Sequence, residues 1–143
     1  MKIKVKRLTA DAVLPKYAHP GDSGMDLHSV EDMVLHPGGW AMVRTGLAIE
    51  LPPGTEAQVR PRSGLAVRHA VTLLNTPGTV DEGYLGEIGI IMASLGNAPF
   101  AISKGMRIAQ MVICPVIRVE VEECDALSVT ERNTAGFGST GVR

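Results

Sequence analysis

A predicted β-hairpin decides the fold of this chain, and its connecting segment is NTPGTVDEGYLGE, residues 75–87. The apolar run AVTLL (70–74) leads into this segment, and IGIIMA (88–93) leaves it. Its Pro-Gly and Glu-Gly pairs favour turns, because proline fixes φ and glycine accepts positive φ without a Cβ clash. Asp81 and Tyr84 near the tip are candidate ligand contacts. The structural alternatives are an aspartate bonded to its own backbone and a tyrosine that packs at a strand end.

Outward from the hairpin, short β-type runs alternate with turns along most of the chain. Turn signals such as HPGG (36–39) and PPG (52–54) recur at intervals of roughly ten residues, with helical periodicity confined to 64–69. The last strand is predicted at 116–121, where apolar and charged residues alternate. The pattern predicts an all-β sandwich or barrel with at most one short helix. No linker or repeat divides it, so residues 1–143 are expected to form a single domain.

Composition restricts the function classes. The chain has 143 residues, 45% hydrophobic but only 3% aromatic, so its core must be aliphatic. A formal net charge of −1 gives no overall field to attract nucleic acid or a membrane surface. No apolar run approaches the ~20 residues needed to span a bilayer. Two cysteines, Cys114 and Cys124, match no metal spacing and indicate reduced thiols in a cytoplasmic protein.

Three further stretches carry groups that suit a polyphosphate. Arg62-Ser63-Gly64 offers a guanidinium, a hydroxyl and backbone amides together, although it could equally be a basic surface turn. Asp26 lies between two apolar residues at period two and is predicted to face solvent or a site. Gln110 interrupts a buried apolar strand, which indicates either a site residue or a glutamine at a sheet edge.

The chain ends in a glycine-rich tail, RNTAGFGSTG (132–141). It lacks the lysine of a P-loop, so it is not that nucleotide motif. It also has too little apolar surface to offset its own ordering entropy, which predicts a flexible arm. Such an arm could close over a nucleotide, with Phe137 stacked on a base and Arg132 paired with a phosphate. The alternative is a mobile tail with an incidental ring.

Five segments, taken in order, carry a family resemblance: GMDL (24–27), PRSGLA (61–66), the hairpin (75–87), GMRIAQ (105–110) and the tail (132–141). Together they resemble the five motifs of the trimeric deoxyuridine triphosphatases, or dUTP diphosphatases. The resemblance implies a jelly-roll-like domain, with residues 1–128 as the body and 129–143 as the arm. It also implies a homotrimer with active sites shared between subunits.

The reaction implied by the resemblance is Mg²⁺-assisted hydrolysis of dUTP to dUMP and diphosphate. This reaction would limit uracil incorporation into DNA and supply dUMP for thymidylate synthesis. By similarity, Asp81 is the general base for a water that attacks the α-phosphorus, and Asp26 reaches the hydrated metal indirectly. The remaining family-derived assignments place the phosphates on Arg62, Ser63, Gly64 and Gln110.

By the same resemblance, specificity lies in the hairpin and the arm. Backbone groups at Thr79, Val80 and Gly89, together with the Asn75 side chain, would bind the uracil edge. Tyr84 would lie against the deoxyribose and exclude a 2′-hydroxyl. The closing arm would contribute the residues Arg132, Phe137, Gly138, Ser139 and Thr140.

The chain departs from the family pattern at Leu85, Asn133 and Ala135, where the family usually has arginine and two glycines. These departures bear on subunit contacts and on arm closure. Two competing functions remain: a dCTP deaminase of the same superfamily, and a non-catalytic β trimer that binds the nucleotide as a sensor. Ammonia release from dCTP would indicate the first, and nucleotide binding without turnover the second.

Overall fold

A computed structural model describes residues 1–136 of the chain. Within these residues the secondary structure consists of short strands and one helix of two turns. The elements are β1 (Lys4–Arg7), β2 (Met25–His28), β3 (Met33–Leu35), β4 (Trp40–Glu50), β5 (Thr55–Arg60), α1 (Ser63–His69), β6 (Val71–Leu73), β7 (Gly78–Val80), β8 (Glu87–Ser94), β9 (Phe100–Ile102) and β10 (Arg107–Pro115).

Two four-stranded antiparallel sheets form the body, in the orders β1-β4-β8-β6 and β2-β10-β5-β7, with β3 and β9 as a separate pair. The strands alternate buried and partly exposed residues, as in β5, where every second side chain faces inward. Fully buried aliphatic residues such as Leu27, Val43 and Met111 form the core. The predicted all-β, jelly-roll-like sandwich with one short helix is confirmed.

The predicted hairpin is present, but its connecting segment also pairs with the second sheet, which the sequence pattern did not indicate. Strand β6 pairs with β8, with Val71 opposite Ser94. Between them, β7 pairs with β5 in the second sheet, so that Val80 lies opposite Ala57. The segment 75–87 therefore connects the two sheets. It places Asp81 immediately after a strand of the second sheet, while Gly89 lies on the first.

The predicted last strand at 116–121 is wrong for the single chain. Strand β10 ends at Pro115, and residues 116–121 form no strand. A strand requires a neighbour to receive its backbone hydrogen bonds, and the side chains of this segment are largely exposed, with Ile117 at 88% and Val121 at 90%. In the part of the chain that the structure describes, no helix is long and apolar enough to cross a membrane.

Candidate active site

A polar cleft of about 380 Å³ opens where β2, β10 and the start of α1 meet; it is called here the Arg62 cleft. Its lining brings together five residues that the sequence placed near a phosphate or metal, along with Arg107 and the loop that precedes β2. The lining residues are Ala18, His19, Asp22, Ser23, Gly24, Asp26, Arg62, Ser63, Gly64, Arg107 and Gln110.

Asp26 is the central charge of the Arg62 cleft. Its neighbours Met25 and Leu27 are buried in the core, so the alternation of β2 turns the carboxylate outward, as predicted. Its two oxygens face two guanidinium groups: Oδ1 forms an ion pair with Arg62 Nε at 3.0 Å, and Oδ2 accepts a hydrogen bond from Arg107 Nη1 at 3.1 Å. Only 17% of the Asp26 side chain is exposed. The carboxylate therefore holds two cations side by side in one cleft.

Gln110 is not at a sheet edge, because β10 lies between β2 and β5, and its side chain lines the Arg62 cleft. Its register partners are Asp26 on one side and Arg60 on the other. Its side-chain Nε2 donates to the Pro61 carbonyl at 2.9 Å. Its Oε1 lies so close to Gly24 that a Cβ on that glycine would meet it at 2.3 Å. The glycine therefore makes room for the amide of Gln110.

Ser63 and Gly64 begin α1 directly after the extended residue Arg62. The first turn forms normally, since Leu65 and Ala66 both donate backbone hydrogen bonds to the Arg62 carbonyl. Leu65 is the buried residue that packs this helix on the body. The helix start thus places the hydroxyl of Ser63 and the Gly64 backbone at the wall of the cleft, next to the Arg62 guanidinium.

The charges of the Arg62 cleft affect the pKa of His28, which lies two residues beyond Asp26. Burial lowers the pKa of His28, the cations Arg107, Arg62 and Lys16 lower it further, and only Asp26 opposes them. Its Nδ1 is buried and has no hydrogen-bond partner among residues 1–136. A neutral imidazole is therefore the favoured form at this position.

A second depression of about 230 Å³ lies between the hairpin segment and the first sheet, and is called here the hairpin cleft. It contains most of the residues predicted to select the nucleotide. The lining residues are Met42, Thr79, Val80, Asp81, Tyr84, Glu87, Ile88, Gly89 and Ile91.

Within the hairpin cleft the side chains are held by local contacts. The Asp81 carbonyl accepts from the Tyr84 amide at 3.0 Å, which closes a turn, and the Tyr84 hydroxyl donates to the Glu87 carbonyl at 2.9 Å. The Tyr84 ring covers Gly86, where a Cβ would meet its hydroxyl at 2.6 Å. The Asp81 side chain is exposed. Asn75 is also exposed and lies beside Gly78 rather than in the lining.

The predicted site residues thus fall into two separate clefts of one chain. Asp26, Arg62, Ser63, Gly64 and Gln110 share the first, whereas Thr79, Val80, Asp81, Tyr84 and Gly89 share the second. Of the arm, Arg132 is exposed and its Nε donates to the Ala135 carbonyl at 2.9 Å. The predicted contacts of Phe137, Gly138, Ser139 and Thr140 lie outside the described residues.

Sequence reasoning did not single out Arg107, which lines the Arg62 cleft and pairs with Asp26. Arg107 lies at the start of β10, three positions before Gln110 within the motif GMRIAQ. A basic residue at a strand entry is common on any surface, and the ion pair with Asp26 joins residues 81 positions apart in the chain. Position within the motif was the only signal that could have pointed to it.

The Arg62 cleft offers few protein ligands for a divalent cation. Residues 1–136 hold no group of three or more His, Cys, Asp or Glu side chains that could bind a metal by themselves. Asp26 is a single carboxylate already shared by two arginines. Mg²⁺ commonly uses one or two carboxylates together with substrate phosphates and retained waters. The cleft therefore fits an ion that arrives with a triphosphate and touches the protein mainly through water.

Comparison with known proteins supports the same chemistry. The family model described as dUTPase matches residues 10–141. The chain is 62% identical over 142 residues to the deoxyuridine 5′-triphosphate nucleotidohydrolase of Gloeothece citriformis, covering 98% of that protein. It is 57% identical over 141 residues to the Alkaliphilus metalliredigens protein of the same name, again covering 98% of it.

Among solved structures, the dUTPase of Staphylococcus bacteriophage 80alpha with dUPNHPP superposes with a TM-score of 0.92 at 30% identity, covering 99% of both chains. The fold, the clefts and these matches define a nucleoside triphosphate hydrolase. Within that class, the chain belongs to the dUTPase family. The predicted family and the predicted enzyme class, dUTP diphosphatase, are both confirmed.

Proposed function

We propose that the chain hydrolyses dUTP to dUMP and diphosphate in a site that two or more copies assemble. The observation that carries this proposal is the Asp26 bridge, which presents Arg62 and Arg107 together beside Gln110 and the start of α1. A pair of oriented guanidinium groups suits the oxygens of a polyphosphate. In a cell this activity would limit uracil incorporation into DNA and supply dUMP for thymidylate synthesis.

The triphosphate would lie in the Arg62 cleft. Arg62 and Gln110 would donate to phosphate oxygens, and Ser63 and Gly64 would add a hydroxyl and a backbone amide. Asp26 would reach the hydrated Mg²⁺ through water. When bound, Mg²⁺ supplies charge neutralisation for the phosphate oxygens, which is a large part of catalysis in phosphoryl transfer. In this cleft the protein itself would align the triphosphate.

Asp81 would act as the general base. Its carboxylate would accept a proton from a water whose oxygen forms the new bond to the α-phosphorus. The bond from that phosphorus to the oxygen bridging to the β-phosphate breaks, and diphosphate leaves with the electron pair. Because an aspartate is a weak base at neutral pH, most of the acceleration must come from alignment of this water and from neutralised charge.

The hairpin cleft would select the base and the sugar. Backbone groups of Thr79, Val80 and Gly89 would pair with the uracil edge, supported by the Asn75 side chain. Cytosine presents the opposite hydrogen-bond polarity and would leave buried groups unpaired, which gives strong discrimination. Tyr84, whose ring lies over Gly86, would pack on the deoxyribose and exclude a 2′-hydroxyl.

A homotrimer would bring the two clefts together. In one chain they are separate depressions with separate linings. The segment after β10 also carries exposed apolar side chains, such as Val119 at 76% and Leu127 at 86%, and a neighbouring copy could cover them. The arm of one copy would then supply Arg132, Phe137, Gly138, Ser139 and Thr140 to a site on another. We place this assembly in the cytoplasm, with no membrane or nucleic-acid partner.

The direct test is diphosphate release from dUTP with Mg²⁺, beside dTTP, dCTP and UTP. Efficient cleavage of dUTP alone is the expected result. Ammonia release from dCTP would instead indicate a deaminase. Tight dUTP binding without diphosphate release would indicate a nucleotide sensor.

Truncation before Arg132 tests the arm. Both clefts remain intact in the shortened chain, so dUTP binding should survive while kcat falls about tenfold or more, as expected of a closing element. Unchanged kcat after truncation would remove the arm residues from the site. Mixing the truncated chain with full-length Asp81→Asn chains would test sharing, because mixed trimers should regain activity only if sites combine residues of two copies.

A further inference from the structure

Glu82, the neighbour of Asp81, ties three separate segments of the chain together through its carboxylate. We propose that Glu82 is a positioning residue that sets the place of Asp81 and connects it to the segment leading to the arm. This inference rests on the proposed role of Asp81 as the base. Glu82 is not expected to touch the nucleotide, since it lies outside the residues that line either cleft.

The contacts of Glu82 are specific. One oxygen, Oε2, accepts the backbone amide of Gly54 at 2.9 Å and the Arg118 guanidinium Nη2 at 3.1 Å. The Glu82 side chain is 30% exposed, whereas Arg118 is 75% exposed. The contact to the amide is thus the sheltered one, and the contact to Arg118 extends from it toward solvent.

Gly54, in the turn between β4 and β5, contacts both the Asp81 turn and the start of the C-terminal segment. Its φ of +75° lies in the region that favours glycine. Its amide donates to Glu82, and its carbonyl accepts from the Val116 amide at 2.9 Å. The start of the C-terminal segment is therefore held to this turn twice, once by backbone at Val116 and once through Arg118 and Glu82.

Asp81 has few other constraints. Asp81 itself is exposed. On the N-terminal side, β7 holds the backbone through the pairing of Val80 with Ala57. On the C-terminal side, the turn closed by the Tyr84 amide is attached to the body by Glu82. Besides Glu82, this turn is held by the bond from the Tyr84 hydroxyl to the Glu87 carbonyl, so loss of the Glu82 attachment would weaken the support of Asp81 on its C-terminal side.

The consequence should appear in turnover more than in binding. A displacement of about 1 Å of a group that aligns a reacting water can lower a rate on the order of a hundredfold. The phosphates would bind elsewhere, in the Arg62 cleft, so KM for dUTP should change little. A purely structural role would instead leave the kinetics of the folded enzyme unchanged and lower the melting temperature, and that change would be small because exposed ion pairs stabilise proteins only weakly.

The experiment compares Glu82→Ala, Glu82→Gln and the matched control Glu122→Gln, an exposed glutamate of the C-terminal segment, in the full-length protein. Glu82→Ala should lower kcat for dUTP about tenfold with KM within about twofold of the parent value. Glu82→Gln should lose less, because its amide oxygen still accepts from Gly54 while the charge pairing with Arg118 is weakened. Glu122→Gln should match the parent chain.

The link to Arg118 is tested by a double-mutant cycle. If Arg118 acts through Glu82, then Arg118→Met should lower kcat, and the double variant should be no slower than Glu82→Ala alone. Additive effects would overturn the link. Melting temperatures identify variants that fail to fold, in which case the milder Glu82→Gln carries the comparison.

The outcomes separate this inference from the proposed function. If Asp81→Asn loses turnover while Glu82→Ala and Glu82→Gln keep the parent kcat, the positioning role is overturned and the role of Asp81 stands. If Asp81→Asn keeps its turnover, the assignment of the base is wrong. A rise in KM in proportion to the loss of kcat/KM would show that Glu82 acts on binding, which also overturns positioning.

Discussion

The Arg62 cleft and the hairpin cleft are built in opposite ways. The first stands on paired strands and a helix start, and its charges are joined by ion pairs at 3.0 and 3.1 Å. The second is a turn that connects two sheets, with its carboxylate and its tyrosine exposed and held by local backbone contacts. A single chain can prearrange cations against each other, but it leaves the proposed base and the proposed specificity surface exposed.

The largest effect is expected in the hairpin cleft. Asp81→Asn should lower kcat for dUTP about a thousandfold, within the range usual for a lost general base, while dUTP affinity measured by calorimetry stays within about threefold. Asp32→Asn, an exposed aspartate in the turn before β3, is the control. Parallel loss of affinity and turnover would show that this cleft binds phosphates as well.

The next effect is expected in the Arg62 cleft. Arg107→Met removes one of the two cations on Asp26, while Arg62 keeps its ion pair with Asp26 and its contact with the Arg107 backbone carbonyl at 3.4 Å. The KM for dUTP should rise about tenfold, as expected for one charged hydrogen bond. Arg7→Met on the edge strand β1 is the matched control and should leave KM unchanged. Equal KM values for the two variants would show that Arg107 has no part in the cleft.

A smaller effect on KM is expected from added bulk at Gly24 in the Arg62 cleft, which is tightly packed there, than from the loss of Arg107. In Gly24→Ala the added methyl would meet Gln110 Oε1 at 2.3 Å, so Gln110 must move and give up its bond to Pro61. KM should rise a few-fold, with little change in the melting temperature because the displaced atom ends a flexible side chain. Gly83→Ala in the hairpin turn meets no atom within 4 Å and should be silent. Similar effects of both substitutions would contradict the difference in packing.

The smallest effect concerns pH. Because the fold lowers the pKa of His28, the unfolded chain binds more protons than the native one between the two pKa values. Stability from His28 is therefore complete above the unfolded value near 6.5 and is lost as the pH falls below it. In metal-free buffer, His28→Asn should lose less stability than the parent between pH 7.5 and 5.5. His36→Asn, in an exposed turn, should behave like the parent.

The sequence was most informative where short-range patterns carry the signal. The alternation around Asp26 correctly turned that side chain outward, and the turn signals correctly indicated short antiparallel strands. The helical turn at 64–69 is α1, one residue longer at its start. These features depend on neighbours within a few residues, so period and turn chemistry are sufficient to predict them.

The wrong and the missing predictions concern features that depend on pairing between distant parts of the chain. Residues 116–121 alternate like a strand but have no partner in their own chain. Arg107 is a candidate site residue only because it pairs with the distant Asp26 in the Arg62 cleft. The contact of Glu82 with Gly54 spans 28 positions and follows from the way β7 joins β5. None of these partners can be read from local composition, because a charged residue or an apolar alternation is compatible with many neighbours.

The sequence by itself determined the β class, the turns, the aliphatic core and the order of the motifs that place the chain among the dUTPases. Only the tertiary structure decided that the residues predicted to bind phosphate and those predicted to select the base lie in two clefts, which cations share Asp26, and what anchors the Asp81 turn. The physical reason is that backbone preference and side-chain polarity act over a few residues, whereas the geometry of a site depends on which distant strands pair.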